Sequence, residues 1–386
     1  MENKQAPARW FIFLTLAIIL AGSSCSEKRG AGDRLATHLQ ALVDNMVHSD
    51  GEDPIHNAVL LVECPDIKWK GAAGLADGRK NAMTADHKFK IASIAKTFTA
   101  AVVLQLIEEG ALDLNARIDR FLDNPIVKID DLHIYEGISY GRRITIEQLL
   151  GHTSGIADYM EDPRFVPDVL EHPKFQYSPA EIMGKYYGYQ TNKKAVFPPG
   201  AGFNYSDVNY VLLAMIIEQV TGEPYHTQLE KRIFGRLAME NSYLEYYEHP
   251  RGKNPLSHAF IGTMDLVDDI NTSFDWGGGG IVSTAEELNT FLRALIEGKL
   301  FRKKSTLDLM VSAADKGRGG TDYDYGLGVM KRSIRGLTFY GHGGAYDCDI
   351  FYCPERNISV CLSLNQMNTH GKREEFFERA IKLIME

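Results

Sequence analysis

Strand-like segments stand at the two ends of this chain and helix-like segments fill its middle. Residues 58–62 and 67–71, divided by Cys64-Pro65-Asp66, read as an early hairpin, and 337–340, 348–353 and 358–364 read as late strands. Residues from about 110 to 250 carry mostly helical patterns and long loops rich in Tyr, Pro and Gly. The clearest helix there is 208–220, ended by Thr221-Gly222. Strands that far apart share a sheet only if the two ends of the chain meet. The pattern therefore predicts an α/β plus all-α architecture. Its antiparallel sheet is built from N- and C-terminal segments, flanked by helices near 35–47 and 374–385, with a helical domain inserted at about 110–250. With 386 residues, 44% apolar, the chain has material for such a core, and a net charge of −9 without any basic block gives no sign of a nucleic-acid partner.

Ser93-Ile94-Ala95-Lys96 lies where an apolar helix begins. Residues three apart share a helix face, so the Lys96 ammonium reaches the Ser93 hydroxyl. The run that follows places Ile94, Phe98, Val102, Leu106 and Ile107 on one side and stops at Gly110. Ser93 thus occupies a first turn, where free N–H groups and the helix dipole favour a developing alkoxide. One Ser-x-x-Lys match is also what a capped helix with a solvated lysine would show. What raises it above that is the order of segments downstream: Pro198-Pro199-Gly200 then Tyr205-Ser206-Asp207 and Asn209, and later Gly341-His342-Gly343-Gly344-Ala345 ahead of a late strand.

In this order the chain resembles the penicillin-binding and serine β-lactamase superfamily, and more closely its branch of class C β-lactamases, D-Ala-D-Ala carboxypeptidases, D-aminopeptidases and esterases. The likeness runs from about residue 33 to the C-terminus. Gly151-His152-Thr153-Ser154-Gly155, Gly278-Gly279-Gly280 and Tyr325-Gly326-Leu327-Gly328 look like further landmarks of that branch. The resemblance implies a β-lactamase/transpeptidase-like fold with no cofactor and no metal. It implies Ser93 as the acylated nucleophile, Tyr205 as the group that moves its proton, and Lys96 as their electrostatic support. A tyrosine working at pH 7 needs roughly 4 kcal/mol of help, and one ammonium at ~4 Å in a partly dry site supplies about that much. The backbone N–H groups of Ser93 and Ala345 would form the oxyanion hole, and Gly343 and Gly344 would let the strand approach the acyl group.

Two departures bear on substrate. Asp207 stands where the family has asparagine; beside Lys96 it favours the ammonium and partly cancels its field on Tyr205. Asn209 is an alternative source of an amide. His342 replaces a lysine that many members use to attract a substrate carboxylate, and imidazole is mostly neutral at pH 7. Asp207, His342, Gly343 and Gly344 are accordingly the substrate-binding candidates. The expected substrates are peptides, amides or esters, including peptidoglycan fragments, with β-lactams poor ones. Loops within 159–194 and 246–274 are expected to shape the pocket.

Gly137-Ile138-Ser139-Tyr140-Gly141 matches the nucleophile elbow of α/β-hydrolases, but Arg142-Arg143-Ile144 follows it and the next helix starts only near Thr145, with Gln148 placed for a capping box. A Gly-bounded hairpin tip fits better. His152 reads as structural, Gly277–Gly280 as a packing segment, and no His-Glu-x-x-His motif points to a metal hydrolase. Besides the serine hydrolase, two other functions stand: a non-turnover penicillin-binding-like envelope protein, kept open by Asp207, and an esterase using Ser139.

Lys4 and Arg9 precede the apolar run 10–21, followed by Gly22, Ser23, Ser24 and Cys25. This reads as an export signal over residues 1–24, and a cysteine after small residues resembles the bacterial lipoprotein signal, with Cys25 lipidated, 25–33 as a spacer and 34–386 as the hydrolase domain. Simple secretion and an uncleaved anchor are the alternatives. The expectation is an exported bacterial cell-envelope protein held at a membrane by its lipid. Cys64, Cys348, Cys353 and Cys361 show no zinc spacing and read as buried free thiols.

Overall fold

The computed structural model describes residues 32–48, 54–313 and 317–386. Cys25 and the export signal lie outside the described residues. Helix α1 (32–44) leads into strands β1 (Asn57–Cys64) and β2 (Ile67–Gly74), which pair as the expected hairpin. The chain then forms α2 (Ala95–Glu108), a mostly helical middle containing α3 (Phe165–Glu171) and α4 (Asp207–Thr221), and α5 (Ala285–Ile296). It ends with β3 (Asp324–Tyr325), β4 (Met330–Ile334), β5 (Leu337–Gly344), β6 (Cys348–Cys353), β7 (Ile358–Ser363) and α6 (Lys372–Met385).

These seven strands form one antiparallel sheet in the order β3-β4-β5-β6-β7-β1-β2. The first strand pairs with the last, Val59 opposite Ser363, so the two ends of the chain do meet. Strand alternation sends side chains to two separate cores. Ala58, Leu60 and Val62 face α1 and α6, with Leu39, Leu42, Phe376 and Phe377. Val59 and Leu61 face the other way, with Leu288, Phe291 and Leu292 of α5 and the large helical core. That two-sided cover explains why β6 and β7 are buried along their whole length.

Two local expectations differ from the structure. Helix α2 is not one-sided: it is buried continuously from Ala95 to Leu106, because α4, the turn at 276–279 and the helical segment 225–234 pack around it, and Phe98 stacks on Phe291 of α5. The His342-Gly343-Gly344 segment does stand just before a strand, β6, but it is itself the end of β5, whose backbone hydrogen-bonds to β6 through that stretch. The described cysteines are all free: Cys348, Cys353 and Cys361 are buried and Cys64 half-buried. No helix among the described residues is long and apolar enough to cross a membrane.

Candidate active site

Ser93 sits on the tight turn Ala92–Ile94 that runs directly into α2. Ala92 has a φ of +44°, a left-handed conformation that costs a side-chain-bearing residue about 1–2 kcal/mol. The end of β5 holds the turn there. A Cβ on Gly344 would come within 2.4 Å of the Ile91 carbonyl and 3.2 Å of Ala92 Cβ, so only glycine lets the strand pack so closely.

Lys96, the second residue of α2, is fully buried. Its Nζ donates to Ser93 Oγ at 3.0 Å, Asp207 Oδ1 at 2.5 Å and the Gly278 carbonyl at 2.9 Å. An ammonium has three N–H bonds, and all three are used. Asp207 opens α4, and its backbone N–H donates to Asp158 Oδ2 at 2.5 Å. A half-buried carboxyl this close to a buried one opposes its ionisation: burial and Asp207 push Asp158 up to about 8. Gly278 has to be glycine, since a Cβ there would lie 2.7 Å from Asp207 Oδ1.

Tyr205 brings its ring to 5.0 Å from Lys96 Nζ and stacks on His152 at 4.2 Å between ring centres. Its buried hydroxyl makes no hydrogen bond of ordinary geometry, although Ser93 is close enough to lower its pKa. Burial pushes the phenol well above 10, and Asp207 adds to that. The expectation that one ammonium brings Tyr205 into the working range is therefore corrected for the resting site: desolvation dominates, and Asp207 opposes the lysine.

His152 is buried, with Nδ1 accepting from the Ser206 N–H at 3.1 Å and from Asn209 Nδ2 at 3.0 Å. Burial and the nearby Lys96 charge hold it well below 6.5, so it is a neutral ring that props Tyr205. Asn209, whose Oδ1 accepts from Ser154 Oγ at 2.7 Å, is committed to this network and offers Lys96 no amide. His342 is likewise buried, not part of the pocket wall. Its Nδ1–H donates to the Gly343 carbonyl at 2.6 Å and its Nε2 accepts from Tyr325 at 3.0 Å. Burial drops it to about 3. It neither touches a substrate position nor offers a cation. Gly343 lies beside Asp349 and Arg373 on the face away from Ser93.

Ser93, Asp207 and Ala345 open into a pocket of about 270 Å³. Met160, Phe165, Val169 and Leu170 line one side, and Ile261, Leu266, Ile270 and Phe274 another. Both sets fall in the loop regions expected to shape it. Val166 and Leu170 of α3 stay exposed at its edge. Ser139 is elsewhere, exposed on a two-stranded tip and donating to the Asp130 carbonyl at 2.5 Å. Only a single 3-10 turn (Gly141–Arg143) follows it, and the next α-helix starts at Ile146, so the elbow reading falls. The capping box of Thr145 and Gln148 is present.

Sequence reasoning missed Asp158, Tyr325 and Asp275. Asp158 follows the Gly-His-Thr-Ser-Gly-Ile landmark, and Tyr325 was read only as part of a glycine-rich landmark; neither has a spacing that announces a site. Asp275 abuts the glycine segment and lines the pocket.

Residues 53–382 match the family described as Beta-lactamase. Penicillin-binding protein 4* of Bacillus subtilis is 28% identical over 354 residues, 86% of this chain and 72% of that protein. A D-aminopeptidase of Brucella ovis is 25% identical over 327 residues; these make up 80% of this chain but 56% of that protein, so this chain spans little more than half its length. The crystal structure of a D-stereospecific amidohydrolase from Streptomyces sp. shares the fold at a TM-score of 0.73 and 30% identity, covering 88% of this chain and 97% of that one. With the family's nucleophile turn, buried lysine and antiparallel sheet in place, the chain belongs to the beta-lactamase family and is a serine hydrolase.

Proposed function

We propose that this hydrolase cleaves amides or short peptides of apolar, D-configured amino acids through an acyl-enzyme on Ser93. The observation that carries the reading is Ser93 Oγ, held at 3.0 Å by a fully buried Lys96, at the entrance of an apolar pocket. The D-configuration is taken from relatives named as a D-stereospecific amidohydrolase and a D-aminopeptidase.

The arrangement supports the following sequence. The substrate carbonyl sits between the backbone N–H groups of Ser93 and Ala345, which stabilise the oxyanion. As Ser93 Oγ attacks the carbonyl carbon, its proton passes to Lys96 while Lys96 gives one to Asp207, so the ammonium persists. The neutral phenol of Tyr205 then protonates the leaving nitrogen as the C–N bond breaks, and recovers its proton from Asp207 through Lys96. Water repeats the cycle to release the acid.

One observation favours a second reading. All three Lys96 protons are engaged at rest, and a lysine clamped this way is a slow base, as a non-turnover penicillin-binding-like protein would have. Intact-mass spectrometry separates the two. With a D-phenylalanine ester, a Ser93 adduct that decays within minutes supports the hydrolase, and a persistent adduct or none overturns it. We also infer, from residues 4–25, export to the cell envelope with a lipid on Cys25, where peptidoglycan fragments are candidate substrates. Metabolic labelling with a fatty-acid probe should mark the wild type and not Cys25→Ala; an unmarked wild type, or equal marking of the variant, would refute the anchor.

A further inference from the structure

We infer that Asp275 is the specificity-determining residue of the pocket, binding a protonated amine on the acyl side of the substrate next to an apolar side chain. This deepens the amidohydrolase reading and rests on it. Two lysines face this region, and both are already matched. Lys96 is held by Asp207, and Lys90, also buried, pairs with Glu245 and donates to Thr272 Oγ1 at 3.0 Å. Arg373, behind Gly343, is matched by Glu374 and Asp349. His342 is neutral.

Asp275 is the carboxylate left over. Among the described residues it has no ion-pair partner; its Oδ2 accepts one hydrogen bond, from the Tyr346 hydroxyl at 2.9 Å. Yet it lines the apolar pocket together with Ser93 and Asp207. Its position is close to the chemistry: a Cβ built on Gly279 would lie 3.4 Å from Asp275 Cγ and 3.5 Å from the Ala92 carbonyl carbon, the residue before the nucleophile. Tyr346, its partner, follows Ala345 of the oxyanion site directly. A carboxylate in an apolar wall without a cation is an expensive arrangement unless a ligand supplies one. Burial raises this carboxyl to about 7, with Asp207 adding to the rise and Lys90 and Lys96 opposing it. An incoming ammonium would lower it again. The α-amino group of an amino-acid amide stands two bonds from the scissile carbon, within the space between Asp275 and Ser93. The same charge count leaves a substrate carboxylate without an attracting cation.

The test compares D-phenylalanine p-nitroanilide with its N-acetyl and desamino counterparts, in wild type and Asp275→Asn. The wild type is expected to prefer the free amine by at least 100-fold in kcat/KM, and the variant to lose at least 30-fold of that ratio. Equal turnover of the three, or an unchanged ratio in the variant, overturns the inference. Calorimetric binding of phenethylamine against 3-phenylpropanol to Ser93→Ala protein gives a readout that needs no chemistry. Amine-selective binding lost in the Ser93→Ala/Asp275→Asn double variant supports the assignment, and unselective binding overturns it. Failure of the mass-spectrometric adduct alone would strike the hydrolase reading instead.

Discussion

The Lys96–Asp207 pair is the contact most open to a quantitative test. Replacing Asp207 by Asn keeps the shape and an acceptor oxygen for Lys96 but removes the charge. At 2.5 Å and an effective dielectric near 20, the gross attraction is about 7 kcal/mol. The amide oxygen retains a charge-assisted hydrogen bond worth roughly 2–3 kcal/mol, and relief of the Asp158–Asp207 repulsion returns some more. The net loss of stability is then about 2–4 kcal/mol, in line with breaking other buried pairs. For a domain of this size, whose unfolding entropy is about 0.7 kcal/mol/K, that lowers the melting temperature by roughly 3–5 °C. Urea denaturation at pH 7 of wild type, Asp207→Asn, Lys96→Met and the double variant gives the coupling energy directly. Because Lys96 is fully buried, the coupling should survive 0.5 M salt. Single effects that add to within 0.5 kcal/mol, or a coupling that disappears in salt, would refute the reasoning.

Gly278→Ala drives a methyl group toward Asp207 Oδ1 and should cut ester acylation by about 10–100-fold while far-UV circular dichroism stays native; a wild-type rate would show that the Gly278 carbonyl is not needed where it lies. Ser139→Ala should leave turnover within twofold, and Ser93→Ala should abolish it, measured with the same chromogenic ester. His342 titrates at about 3 when folded against an ordinary 6.5, so its contribution to stability is whole above pH 6.5 and is lost as pH falls toward 3. The stability gap between wild type and His342→Gln, followed by urea denaturation, should therefore shrink from pH 7 to 4.5; a constant gap would count against a neutral buried ring.

The sheet and the nucleophile turn were legible because each has a local signature. A continuous apolar run marks 58–62 and a largely apolar one broken by serines marks 358–364, and Ser93 and Lys96 are one turn apart. Helix α2 was misread as one-sided because its sequence shows only that apolar residues are present, not that other helical segments pack around it on every side. His342 was legible as a neutral group but not as a buried one. Its position within β5 depends on pairing with β6, and the Tyr325 hydroxyl that fills its Nε2 comes from another strand. Asp158 and Asp275 left no trace in the sequence, since their roles arise from burial beside groups distant along the chain. The tyrosine ionisation was misjudged for the same reason: one favourable charge is readable from a motif, whereas the surrounding desolvation is not.

The pairing of β1 with β7 has a consequence for how the protein comes into being. Val59 waits for Ser363, and Ala345 joins the nucleophile only when the late strands are in register. A nascent chain therefore carries Ser93 through most of its synthesis before the segment that shares its pocket exists. Losing the last strand would unmake the reaction centre as surely as losing the serine itself.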